Sequence, residues 1–371
     1  MTKTLRQTMM LACALGGWVS CHAADDVEAR ARAIHEHVFT IDTHDDIELG
    51  FATSEFMPAD KPEAQVTLNK MKAGGLNAGF FIVYVAQSAR TPENYLKARA
   101  DALAKFDAIH RMVKLYPDRI GLATTAAQAR KLHAAGKLVA FIGIENGYVI
   151  GKDLGVLKDF RAQGARYMTL VHNGHNDIGD SAQPRTEFGD QGPEEHGGLS
   201  PFGEQVVAEL NRLGILVDVS HVSKKTMLAA TRLSKAPVIA SHSSVAGVYV
   251  HARNMDDEQL EALKQNGGVI QLVAFKSYLK AGDDANVSTF VDHIDYAVKK
   301  IGIDHVGISS DFGGGGGISG WNSAAETFNV TLELVKRGYS EQDIGKIWGG
   351  NVLHILERAE KVAKRPASGL H

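Results

Sequence analysis

Eight short runs rich in β-branched and apolar residues recur along the chain, and helical patterns separate most of them. The runs are VFTIDTH (38–44), AGFFIVYVA (78–86), LVAFIGIE (138–145), YMTLVH (167–172), ILVDVSH (215–221), PVIASH (237–242), GGVIQLVAF (267–275) and HVGISSD (305–311). They are nearly continuous rather than alternating, as strands covered on both faces must be. Between them, ENYLKARADALAKFDAIHRMVKLY (93–116), EQVVAELNRLG (204–214), DEQLEALKQNGG (257–268) and STFVDHIDYAVKKIG (288–302) repeat apolar residues at three- and four-residue spacings. Strands alternating with helices over this length predict a single-domain α/β fold, a (β/α)8 TIM-type barrel spanning 24–364. A doubly wound open sheet satisfies the same alternation, and IGLAT (120–124) offers a ninth short strand, so the strand count alone leaves both open. No linker, repeat or shift in composition marks a second domain.

The 40 basic and 43 acidic residues nearly balance, for a net charge of −3. That lacks the basic excess of a nucleic-acid surface, and it is unlike a disordered chain. Lys3 and Arg6, then the short apolar run MMLACALGGWVS and the small residues before Asp25, have the layout of a secretory signal peptide over 1–23. The expectation is export, to the periplasm first, with secretion or a lipid anchor at Cys21 as alternatives. Cys13 and Cys21 are the chain's two cysteines and both lie in that leader, which leaves the mature chain no disulfide and no thiol chemistry. No other stretch is apolar and long enough to span a membrane, and KRPASGLH reads as a polar tail over 365–371.

The polar residues of these runs gather at their C-terminal ends: His44, Glu145, His172, His221, His242 and Asp311. In a parallel barrel those ends converge on one face, where active sites form. Buried charges are costly unless paired or metal-bound, so six such groups arriving from six strands point to chemistry rather than packing. In DTHDD, His44 and Asp46 are two apart and share one side of an extended chain, where an imidazole and a carboxylate can chelate one ion. Asp42 and Asp45 stand as supporting groups, Asp42 in phase to orient His44. VSH and ASH end consecutive runs and present His221 and His242 as a second half-site. Glu145, with two oxygens, can bridge the halves. Two ions about 3.5–4 Å apart can hold a hydroxide between them at neutral pH.

DTHDD, IEN, LVHNGHND, GLSPFGEQVVAELNRLGILVDVSHVS, SHSSVAGVYVHARNMDDEQL and VGISSDF together resemble the membrane (renal) dipeptidase family of metallopeptidases, among the amidohydrolase-like barrels. The likeness runs in order from about Phe39 to GKIWGGNVLHILERAE near the C-terminus. It implies two zinc ions per chain, His44, Asp46 and Glu145 holding one and Glu145, His221 and His242 the other. It implies that His172 contacts substrate and steadies the tetrahedral intermediate, and that Arg253 receives the substrate's carboxylate. Asp311 would handle protons. The implied activity is hydrolysis of small dipeptides, including those with C-terminal D-residues, by a metal-bridging hydroxide.

The residue chemistry agrees. The metals with His172 can stabilise an oxyanion, Asp311 can move a proton, and the fork of Arg253 suits a carboxylate. An amidohydrolase acting on N-acyl amino acids, β-lactams or another peptide-derived metabolite uses the same groups, and a non-catalytic metal-binding protein is the remaining alternative. His175 lies near enough to compete with His172, while His251, His305, Trp321 and Tyr148 are candidates for the cleft wall. The sequence leaves open a homodimer, the substrate and the metal carried. SSDFGGGGGISG (309–320) lacks the Lys-Ser/Thr that a phosphate loop carries after its glycines. It reads as the end of the eighth strand delivering Asp311, with Gly313 where the family commonly has a second aspartate.

Overall fold

The computed structural model describes residues 26–364. The leader, both cysteines and the polar tail lie outside the described residues. A helix over residues 26–37 leads into β1 (Ile41–Asp46). The strands that follow are β2 (Ala78–Tyr84), β3 (Ile120–Leu122), β4 (Leu138–Glu145), β5 (Ala165–Thr169) and β6 (Leu216–Asp218). Then come β7 (Ile239–Val245), β8 (Asn254–Met255), β9 (Val269–Val273) and β10 (Val306–Ser309).

Eight of these are parallel in the order β1-β2-β4-β5-β6-β7-β9-β10, and the ends of that series meet. At the seam the Asp46 amide donates to the Phe312 carbonyl at 2.7 Å, and the Thr43 hydroxyl reaches the Ile308 carbonyl at 3.2 Å. The open-sheet alternative is thereby removed. The ninth run is β3, which pairs only with β4 outside the barrel, and β8 likewise pairs only with β7. The helices open on side-chain caps: Thr91 for Pro92–Leu115, Ser200 for Pro201–Leu213, Asp256 for Asp257–Asn266 and Asn286 for Val287–Ile301. Gly214 and Gly267 end two of them in the left-handed region.

The nearly continuous apolar runs are explained by two cores. Phe81, Val83, Ile142, Ile144 and Met168 face the helices, while Phe80, Ile82, Phe141, Tyr167, Leu216, Ile239 and Val269 form a second cluster that the C-terminal helix Asn351–Ala363 covers. Along each strand the buried side chains of that second phase turn polar toward the C-terminal end: Phe141 gives way to Glu145, Leu216 to Asp218 and Ile239 to Ser241. Gly143 leaves room there, because a Cβ at that position would lie 2.2 Å from the Tyr167 ring.

Candidate metal centre

The strand ends bring His44, Asp46, Glu145, His172, His221, His242 and Asp311 into three overlapping clusters, each able to hold an ion. The clusters are His44 with Glu145 and His242, Glu145 with His172 and His221, and His44 with Asp46 and Asp311. Glu145 is buried at the centre. Its Oε2 lies 3.5 Å from His44 Nε2, and its Oε1 lies 3.1 Å from His221 Nε2 and 3.3 Å from His242 Nε2. Asp46 Oδ2 adds a contact 3.4 Å from His44 Nε2.

Each of the three imidazoles is tethered at its other nitrogen. The Tyr167 hydroxyl donates to the Thr43 carbonyl at 2.9 Å, so it accepts from His44 Nδ1 at 3.0 Å. The Ser241 hydroxyl donates to Asp218 at 2.6 Å, so it accepts from His242 Nδ1 at 2.8 Å. Asn173 Oδ1 accepts from His221 Nδ1 at 3.2 Å. With Nδ1 carrying the proton, every Nε2 presents a lone pair to the space around Glu145. Asp218 itself is held by the Thr169 hydroxyl and the Ser220 and Ser241 amides, which makes it a fixed anchor inside the barrel.

That arrangement fits metal ions. His44 Nε2 is buried without a hydrogen-bond partner. His221 Nε2 and His242 Nε2 stand 2.7 Å apart, a separation that two bare lone pairs do not tolerate. Burial pushes both histidines well below the ordinary imidazole pKa, which disfavours a charged ring at either. Burial also lowers His44, but Glu145 and Asp46 outweigh it and hold the ring well above the usual value. Burial pushes Glu145 up, yet His44, His172, His221 and His242 together hold it well below the usual carboxylate range. Imidazole nitrogen with carboxylate oxygen is the donor set that zinc takes.

His172 follows β5, with Nε2 3.7 Å from Glu145 Oε1 and its ring against His221 and Tyr84. The competitor His175 is spent on loop structure: Nδ1 accepts from the Ser181 amide and Nε2 bonds the Gly192 carbonyl. Arg253 is buried beside β7, with Nη2 donating to the His242 carbonyl at 3.0 Å and Nε left without a partner. Its guanidinium lies 5.4 Å from the Tyr278 ring. Asp311 has φ of 59°, and His221 and Asn146 are likewise in the left-handed region. Among the described residues, three of the four non-glycine residues with positive φ therefore sit in or beside this cluster, as strained backbone does at functional sites. Burial raises Asp311 well above the usual carboxylate pKa, with Asp46 and Glu145 adding to it and His44 and Arg253 opposing.

Several expectations change. Asp42 does not orient the His44 ring; its Oδ1 accepts from the His44 and Ser310 amides, so it pins backbone across the seam. Asp45 is buried against Gly79, its oxygens unpartnered. His305 bonds the Gly268 carbonyl at the N-terminal end of β10, at the far end of the barrel. Trp321 is core, packed against Phe290, Phe312 and Trp348. The Tyr148 hydroxyl is tied to the Ala89 carbonyl. His251 does adjoin the site, since its Nδ1 accepts from the Arg253 amide and its ring packs at a tilt against Tyr278. Tyr167, Asn173, Asp218 and Ser241 were missed, although an acid inside ILVDVSH and a serine before each histidine were visible traces of them.

The glycine run serves the carboxylates. A Cβ at Gly314 would lie 2.4 Å from both Asp46 Oδ2 and Asp311 Oδ1, and one at Gly313 would lie 2.7 Å from the Asp46 carbonyl. Among the described residues no helix is long and apolar enough to cross a membrane.

The sequence matches the membrane dipeptidase family, peptidase family M19, over residues 28–368. The dipeptidase aclJ of Aspergillus oryzae is 35% identical over 324 residues, which is 85% of this chain and 75% of that protein. The crystal structure of the probable dipeptidase PvdM from Pseudomonas aeruginosa superposes with a TM-score of 0.88 at 32% identity, covering 91% of this chain and 100% of that one. A metallopeptidase from Rhodobacter sphaeroides, liganded with a phosphinate mimic of the dipeptide L-Ala-D-Ala, gives 0.75 at 26% identity, covering 87% and 99%.

Proposed function

The chain belongs to the membrane dipeptidase family of metallopeptidases, and we propose that it is a two-zinc dipeptidase in which Glu145 would serve both ions. The observation that carries this reading is the set of three histidines hydrogen-bonded at Nδ1 and turned by Nε2 onto the two oxygens of Glu145. His44, Asp46 and Glu145 would hold one ion, and Glu145, His221 and His242 the other. When bound, the ions supply Lewis acidity and a water acidified toward neutral pH.

The chain's own residues supply the rest. Arg253 takes the substrate's terminal carboxylate through its guanidinium, whose Nε is free of any internal partner. His172 Nε2 donates to the scissile carbonyl oxygen as that atom gains charge. Asp311 receives the proton of the attacking water on a carboxylate oxygen and returns it to the departing amine nitrogen. The burial of His44, Glu145 and His242 keeps bulk water from competing for these contacts.

The likeness to a metallopeptidase liganded with an L-Ala-D-Ala mimic supports dipeptides as substrates, C-terminal D-residues included. An N-acyl amino acid is the second reading, because Arg253 recognises a carboxylate whatever lies on the amine side. A panel of L,L- and L,D-dipeptides beside N-acetyl amino acids separates the two. Hydrolysis of the dipeptides by wild-type protein and its loss in Asp311→Asn are expected; cleavage of the N-acetyl compounds alone would transfer the activity to the second reading. Export through the leader is part of the same proposal, tested by the N-terminus of protein recovered from the periplasm.

A further inference from the structure

A buried lysine stands at the edge of this site with no counterion of its own. Lys105 lies in the helix Pro92–Leu115 and is 7% exposed, where a helical lysine ordinarily extends to water. Its ammonium sits 5.4 Å from the Tyr84 ring centroid. Its attractions to Asp46, Glu145, Asp101 and Glu48 act through space, with no hydrogen bond among them. Asp101 is taken by Lys97 at 2.5 Å, Glu48 has its side chain 73% exposed on the rim, and Asp46 and Glu145 are proposed to bind the ions. Burial lowers the Lys105 pKa and no carboxylate among the described residues hydrogen-bonds it, so an anion brought into contact would stabilise the ammonium.

Lys105 is the cation lining a cleft of about 490 Å³ whose walls include Asp45, Asp46, Tyr84, Phe81 and Phe312, with Glu48 and Glu63 exposed to solvent and Gly313 and Gly314 contributing no side chains. Position in the barrel says what enters it. Tyr84 ends β2, while Arg253 is bonded to His242 on β7, and the strand order sets β2 and β7 four places apart in a ring of eight. A substrate whose carboxylate lies at Arg253 and whose scissile bond lies over Glu145 therefore extends its N-terminal residue toward Lys105.

We propose that Lys105 is a specificity-determining residue that pairs with a carboxylate on the side chain of the substrate's N-terminal residue, so that dipeptides beginning with an acidic residue are preferred. The aromatic walls pack the methylenes of such a side chain, and the ammonium meets its end. This inference rests on the dipeptidase reading.

The test compares kcat/KM for Glu-Ala, Gln-Ala and Ala-Ala on zinc-loaded wild-type protein and on Lys105→Met and Lys105→Arg. Glu-Ala should exceed Gln-Ala by about tenfold or more in wild type, as a charge-assisted hydrogen bond predicts, with the difference carried by KM. The ratio should fall to near one in Lys105→Met and recover in part in Lys105→Arg. General damage from a substitution divides out of that ratio. Wild-type protein that cleaves Ala-Ala without favouring Glu-Ala over Gln-Ala, or a Lys105→Met variant that keeps the preference, overturns the role of Lys105 alone. Wild-type protein that cleaves none of the three overturns the dipeptidase reading and this inference with it.

Discussion

The Tyr167 hydroxyl accepts a hydrogen bond from His44 Nδ1 at 3.0 Å while donating its own proton to the Thr43 carbonyl at 2.9 Å. This pairing sets the His44 tautomer and turns its Nε2 toward Asp46 and Glu145. Removing the hydroxyl should loosen the ring without disturbing the barrel. Tyr167→Phe is expected to lower zinc affinity by about 10–100-fold, the usual cost of losing a partner of a metal-binding histidine. A competition titration against a zinc chelator measures it, and unchanged affinity would mean that the ring is held by packing alone.

Arg253 has a buried Nε with no partner, yet its Nη2 is committed to the His242 carbonyl. Arg253→Lys keeps the charge and loses the planar fork. The expected result is a loss of about 100-fold in kcat/KM for dipeptides, about 3 kcal/mol, within the range for breaking a buried charged contact. Dipeptides amidated at the C-terminus should already be poor substrates of wild-type protein and should lose little more in the variant.

Gly314 stands where the Asp46 and Asp311 carboxylates converge, so a methyl group there must push one of them aside. Displacement of reacting groups by about 1 Å costs on the order of 100-fold in rate. Gly314→Ala should therefore fall by roughly that factor in kcat with its fold intact by circular dichroism. Gly345→Ala, whose added Cβ would meet only Val38 at 3.7 Å, should behave as wild type.

Away from the site, His35 is buried between the Thr331 hydroxyl and the Gly74 carbonyl, with the Phe328 and Trp348 rings against it. Burial lowers its pKa below the ordinary 6.5, outweighing the Gly74 hydrogen bond and nearby Glu36. The unfolded chain therefore takes up a proton that the folded chain resists. Its contribution is fully present above pH 6.5 and is lost as acid carries the solution through the folded pKa. Urea midpoints measured from pH 7.5 down to 5 should decline, and His35→Gln should flatten that decline.

Much of the site was legible because the barrel forces strand ends together. A histidine or acid closing an apolar run is visible in a linear sequence, which is why His44, Glu145, His221 and His242 could be picked out. The groups that orient them could not. Tyr167 reads as an ordinary aromatic in YMTLVH, and its hydroxyl meets His44 only because Gly143 on the neighbouring strand leaves space for the ring. Asp42 was misassigned because in-phase spacing along β1 says nothing about the seam, where the Ser310 amide claims its oxygen. Lys105 falls in phase with the buried Ala98, Ala102, Ile109 and Met112, so the helical period does turn it inward, but a lysine at such a position ordinarily reads as one that extends to water. His221 lies past the end of β6 with φ of 66°, a turn that the apolar run ILVDVSH does not reveal.

Metal stoichiometry tests the central claim most directly. Purified full-length protein, dialysed free of loose metal and assayed by elemental analysis, should retain about two zinc ions per chain, as a two-metal site requires. Glu145→Gln should reduce that number while the protein remains folded. Wild-type protein that folds yet binds one ion or none would contradict the account.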